Sequence, residues 1–211
     1  VRQLRRSPEA VLPIILNTLE GVKVDLSSSC AELGEVLIPL AKHADAARRD
    51  VSRRIIDMLA ANSADASLVK EHIFARCAAE FVAGKRPKEW TARVGLYDVI
   101  GLCSRINSRK DREALSANAI AILATEMTVD KQLDAKAAGL RALTTWLRHI
   151  AACAASNVTL IKESSKDAKE RGSTLQSIAQ ALRSNSALAS GLSETIDVLD
   201  PITVAGAAKS A

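Results

Sequence analysis

The stretch from Ser7 to His43, SPEAVLPIILNTLEGVKVDLSSSCAELGEVLIPLAKH, constrains the fold more than any other part of the chain. It reads as two amphipathic helices joined by a short polar turn. Ser7 occupies an N-cap position, Pro8 fills the first helical position, and Glu9 sits at the positive end of the helix dipole. Val11, Ile15 and Leu19 then recur every four residues, with Leu12 and Leu16 beside them, and Gly21 supplies a stop. Asp25 is placed to cap a second helix whose Leu26, Cys30, Leu33, Leu37 and Leu40 keep a helical interval. Two such helices must lie antiparallel with their stripes facing. They still leave apolar surface on one flank, so each hairpin requires a neighbour of its own kind. Pro13 and Pro39 fall inside the helices, where each removes an intrahelical bond and predicts a bend.

The same plan recurs along the chain. From Asp45, a helix puts Val51, Ile55, Met58 and Leu59 inward and turns Arg48, Arg49, Arg53 and Arg54 largely away. After the NSADAS turn, a partner over about Ser67–Ala83 places Val69, Ile73, Cys77 and Phe81 inward, and Gly84 ends it. The linker KRPKE (85–89) blocks helix continuation with its Pro and is expected to be exposed. A third hairpin pairs Trp90–Ile106 (Leu96, Val99, Cys103, Ile106 inward) with Asp111–Met127 (Leu115, Ala119, Ile122, Leu123 inward). Asp130 is read as the cap of a fourth, which continues through Leu133, Ala137, Leu140, Leu143, Leu147 and Ile150, with Trp146 on the same face. Its partner, up to about 169, is short and polar. Leu175, Ile178, Ala179 and Leu182 restart a helix whose mate runs over Leu192–Ala208.

The expected hairpins span about 8–43, 45–84, 89–127, 130–169 and 173–209 of one array covering 1–211. Starts near 8, 45, 89 and 130 give steps of 37, 44 and 41 residues. That matches the period of roughly 40–47 residues of HEAT or armadillo arrays, and two helices per unit favour HEAT. The predicted fold is therefore all-α, an α-solenoid of about four to five HEAT-type hairpins, a form with no central pocket for catalysis. The core must be built from Ala, Leu, Ile and Val, because only 2% of the residues are aromatic.

The chain begins at Val1 and contains neither a signal peptide nor an apolar run long enough to span a bilayer, so it reads as a cytosolic fragment of a longer protein with no membrane partner. Cys30, Cys77, Cys103 and Cys153 are far apart and each falls in an apolar helical pattern, which suits buried free thiols in a reducing compartment. His43, His72 and His149 are isolated; no nucleophile elbow or glycine-rich phosphate loop occurs, and Ser27–Ser29 and Ser164–Ser165 suit polar turns. The expectation is no catalytic residue, no metal ligand, no cofactor and no enzyme.

Charge gives the remaining signal. Residues 1–112 hold 19 Lys and Arg against 14 Asp and Glu, whereas residues 113–211 hold 10 of each, so the net +5 belongs to the N-terminal half. VRQLRR at residues 1–6 reads as a solvated helix end. Arg105, Arg109, Lys110 and Arg112 gather around Asn107 and Ser108 at the turn inside the third hairpin, and Lys85, Arg86 and Lys88 lie on the loop before it. In a stacked array the two sets fall on opposite edges. They are the candidate partner contacts, suited to nucleic-acid phosphate or acidic protein surfaces. The scarcity of aromatics argues against stacking on unpaired bases.

The run RRSPEAVLPIILNTLEGVKVDLSSSCAEL carries Arg6-Ser7-Pro8-Glu9, Val11, a leucine-rich first helix and Asp25-Leu26-Ser27. It resembles the N-terminal HEAT region of the general amino-acid control translational activators. These are giant ribosome-associated proteins that activate the initiation-factor-2-alpha kinase. The likeness continues in hairpin length and order to about Trp146, including the SADAS turn, and fades beyond Ile150. It implies a cytoplasmic scaffold whose partners are the ribosome (protein or RNA backbone) and other segments of the same solenoid. An ATP-binding-cassette partner and the kinase would be reached through regions outside this chain. The competing readings are a HEAT scaffold of another class, such as a nuclear transport receptor or phosphatase scaffold, and a structural spacer.

Overall fold

The computed structural model describes residues 8–19, 25–82 and 85–156, and among them every regular element is helical. Helix α1 is Pro8–Leu19, and α2, Cys30–Ala41, follows a 3-10 turn at Ser27–Ser29. Helix α3 is Ala46–Asn62. Helix α4 consists of Ala66–Val69, a π turn at Lys70–Phe74 and Ala75–Ala79. Helix α5 is Trp90–Leu102, ending in a 3-10 turn at Cys103–Arg105; α6 is Arg109–Val129 and α7 is Leu133–Ser156. No helix among the described residues is long and apolar enough to cross a membrane.

The odd-numbered helices form one succession, with α1 on α3, α3 on α5 and α5 on α7, while α2 packs along both α3 and α4, and α6 along α7. The apolar stripes meet in these contacts. Leu37, Ile55, Leu59, Val69, Ile73, Cys77, Leu96, Cys103, Ile106, Leu123, Leu143 and Leu147 are all fully buried. Two glycines set how closely the layers approach. A Cβ on Gly34 in α2 would collide with the His72 carbonyl of the π turn, and one on Gly95 in α5 with the Ala41 carbonyl at the end of α2.

Several boundaries differ from the sequence expectation. Asp25 does not cap an α-helix directly: its carboxylate accepts the Ser27 N–H at 2.9 Å and the Ser27 hydroxyl, which holds the 3-10 turn, and α2 starts only at Cys30. Helix α4 stops at Ala79 rather than near Gly84, so Phe81 leaves the helix and stacks on Tyr97 with ring centroids 5.3 Å apart. Helix α6 begins at Arg109, two residues early, because Ser108 Oγ accepts the Asp111 N–H at 3.3 Å and acts as the N-cap. Leu133, assigned to the inward stripe, is exposed at the first turn of α7. Residues 1–6, Ser7, Gly21, Gly84, the partner expected for α7 and the hairpin at 173–209 lie outside the described residues.

Candidate interaction surfaces

The candidate cations divide by position along α5. Arg105, Arg109, Lys110 and Arg112 sit at the C-terminal end of α5 and the start of α6, whereas Lys85, Arg86 and Lys88 precede the other end of α5. The 13 residues of α5 hold the two groups about 20 Å apart.

At the first surface, the true loop is only Ile106–Ser108, and Arg109, Lys110 and Arg112 belong to the opening turn of α6. Arg105 is not free to reach a partner. Its Nη1 donates to both oxygens of Asp57 on α3, at 2.7 and 2.6 Å. Arg112 is half-buried and donates to the Ile106 carbonyl at 2.7 Å, which ties the loop to the helix that follows it. Lys110 is exposed; the side chain of Arg109 lies outside the described residues. His149 on α7 completes the surface. Burial, then the charges of Arg112 and Arg105, hold its imidazole below the usual pKa, a sign of positive potential reaching from α5 and α6 onto α7.

The second surface is organised by a buried ionic cluster. Arg93 forks onto Asp130 through Nε (2.6 Å) and Nη2 (2.9 Å) and spends Nη1 on the Pro87 and Lys88 carbonyls at 3.0 and 2.6 Å. Arg86 donates through Nε to Glu126 and lies 3.0 Å from Asp130 through Nη2. The Tyr97 hydroxyl has a single proton, shared between Glu126 at 2.9 Å and Asp130 at 3.2 Å. Two guanidiniums thus neutralise two carboxylates, and the linker at 86–88 is pinned against the end of α6. Arg86 is accordingly structural and half-buried, not the exposed linker cation expected, while Lys85 and Lys88 stay exposed. Burial alone would raise the pKa of Asp130, but the Arg93 fork, the Gln132 N–H and the charges of Arg93 and Arg86 hold it below the ordinary carboxylate value. Burial and the neighbouring carboxylates push Tyr97 well up, so its hydroxyl stays a donor.

Sequence reasoning missed Arg93, Tyr97 and Glu126 and read Asp130 only as a cap. The one available signal was the i, i+4 pair Arg93 and Tyr97 beside the α5 stripe, and an arginine there is normally expected to face water. Cys30, Cys77 and Cys103 are buried free thiols, and burial raises the pKa of all three, up to about 12 for Cys103. That environment makes them unreactive packing groups. Among the described residues no group of three or more His, Cys, Asp or Glu is placed to hold a metal ion.

Residues 1–86 match the family model described as the stalled ribosome sensor GCN1 N-terminal region. The match includes α1 to α4 with Lys85 and Arg86, and ends before Lys88, Arg105, Arg109, Lys110 and Arg112. No curated protein and no solved structure matches the chain.

Proposed function

We propose that the chain is a non-catalytic segment of a HEAT-type α-solenoid in a cytoplasmic, ribosome-associated translational regulator that responds to stalled ribosomes. The observation that carries this reading is the similarity of residues 1–86 to the N-terminal region of the stalled ribosome sensor family. What supports the solenoid is the packing order of α1 on α3, α3 on α5 and α5 on α7, with α2 on α4. In this reading the cationic surface at the start of α6 meets ribosomal RNA phosphate. Activation of the initiation-factor-2-alpha kinase belongs to the parent protein, through regions outside this chain.

The placement of Arg109 and Lys110 supports a binding role. Cations in the first turn of a helix oppose its dipole, at roughly 0.3–1 kcal/mol each. Asp111 offsets only part of this, so the pattern is poor for helix stability and suited to an anionic partner. The test is co-sedimentation of the chain with purified ribosomes. Arg109→Glu with Lys110→Glu is the informative variant, because Arg105 and Arg112 also hold the fold through Asp57 and Ile106. A severalfold fall in the pelleted fraction with unchanged circular dichroism is expected. An unchanged fraction would remove this surface from the reading.

A further inference from the structure

The large apolar side chains that the described residues leave exposed are not scattered. Of the five, Ile14 stands alone on α1, while Val82 (55% exposed), Trp90 (38%), Val129 (52%) and Leu133 (64%) all lie around the buried ionic cluster. Val82 opens the turn into the linker, where Lys85 N–H donates to the Val82 carbonyl at 2.9 Å. Trp90 starts α5 three residues before Arg93; Val129 ends α6 beside Asp130; Leu133 starts α7 three residues after it. The bonds of Arg86 and Arg93 to Glu126 and Asp130 tie these four segments together, so the four exposed residues are gathered at one end of α5.

The charge around this apolar set is biased. The cluster cancels itself internally, leaving exposed Lys85, Lys88 and Lys131 against exposed Glu89 and Asp134. The N-termini of α5 and α7 open here beside the C-terminal end of α6, so their dipoles largely offset one another, and the positive excess rests on the three lysines. We propose that this end of α5 is a docking site for a short acidic segment of a partner protein that brings two or three large apolar side chains. Phosphate would use the lysines but gain nothing from Val82, Val129 and Leu133, whereas protein interfaces are anchored on apolar and aromatic groups inside a polar rim. The cationic surface at the start of α6 shows the converse, since none of the exposed large apolar side chains lies on it. The site falls almost wholly beyond residue 86, and it stands whether or not the chain engages ribosomes.

The probe is a fluorescein-labelled synthetic peptide with Leu and Phe at helical spacing among glutamates, titrated against the whole chain. Three controls accompany it: the same peptide with Lys for Glu, the same peptide with Ser for Leu and Phe, and an oligouridylate of equal charge. The chain reports occupancy itself. Trp146 is buried, with its Nε1 donating to the Ile100 carbonyl at 2.9 Å, so a change in tryptophan emission on binding comes from Trp90. The acidic, apolar peptide is expected to saturate with a blue shift, and the three controls to bind at least severalfold more weakly. Trp90→Phe should abolish the emission change yet retain binding by anisotropy. Lys85→Glu, Lys88→Glu and Lys131→Glu together should weaken binding while Trp146 emission, the check on folding, stays as it was. Absence of saturable binding, equal binding of the lysine peptide or the oligouridylate, indifference to charge reversal, or self-association lost on Leu133→Ser would each overturn the assignment.

Discussion

Asp130 is a carboxylate held ionised where burial favours the neutral acid, and the forked bond from Arg93 is what reverses the balance. Removing one member leaves the other charge buried without compensation. Asp130→Asn is therefore expected to cost about 3–5 kcal/mol at neutral pH, measured by urea unfolding. The pH dependence fixes the cause. A carboxyl whose folded pKa is depressed contributes stability above its unfolded value, near 3.9, and loses it as pH falls through the folded value. The gap between the native chain and Asp130→Asn should stay constant from pH 7 to about pH 4 and close below that. A gap that narrowed already between pH 7 and 5 would mean that another group supplies the effect. Tyr97 shows the opposite sign: its raised pKa keeps the phenol neutral in the fold, so stability declines as pH climbs past about 10, where the unfolded chain ionises.

The helices themselves were legible in the sequence, and the reason is the apolar period. Ile55, Leu59, Val69, Ile73, Leu96, Leu115, Leu123 and Leu143 recur at helical spacing and are all buried. The ends were less legible, because they depend on single polar bonds. Ser108, not the turn as a whole, decides where α6 begins, and an Asp25–Ser27 pairing delays α2 until Cys30. Least legible was the ionic cluster, whose partners lie 37 and 40 residues apart and leave no local pattern. Close approach between helices was hidden for the same reason. Gly95 looks like a weak point in α5, and in an isolated helix Ala would be better by about 1 kcal/mol. In the fold a Cβ there meets the Ala41 carbonyl, a rigid backbone group. Gly95→Ala should therefore destabilise by about 1–3 kcal/mol, read from the shift in denaturant midpoint at unchanged slope. A stabilised variant would mean that α5 and the end of α2 do not approach as described.

Across the molecule, polar bonds join segments roughly 40 residues apart in sequence. Asp25 accepts the Ala64 N–H and Ser27 the Asp65 N–H, 39 and 38 residues on; Lys42 meets Glu80 at 38, Arg86 meets Glu126 at 40, and Arg105 meets Asp57 at 48. These bonds latch distant segments of the chain at their edges, while the buried apolar side chains form the core. The two kinds of bond respond differently to salt. Exposed pairs such as Arg105–Asp57 contribute up to about 1 kcal/mol and are screened, whereas the enclosed Arg93–Asp130 pair is screened far less. Raising salt from about 0.1 to 0.3 M should lower the melting temperature by no more than about 4 °C for a chain of this size. Ribosome binding through two phosphate contacts, from Arg109 and Lys110, should fall about five- to sevenfold over the same range. Melting curves and co-sedimentation in one salt series measure both quantities. A steep fall in melting temperature would make the edge latches the main source of cohesion. Binding indifferent to salt would mean that the cations near the start of α6 do not touch phosphate.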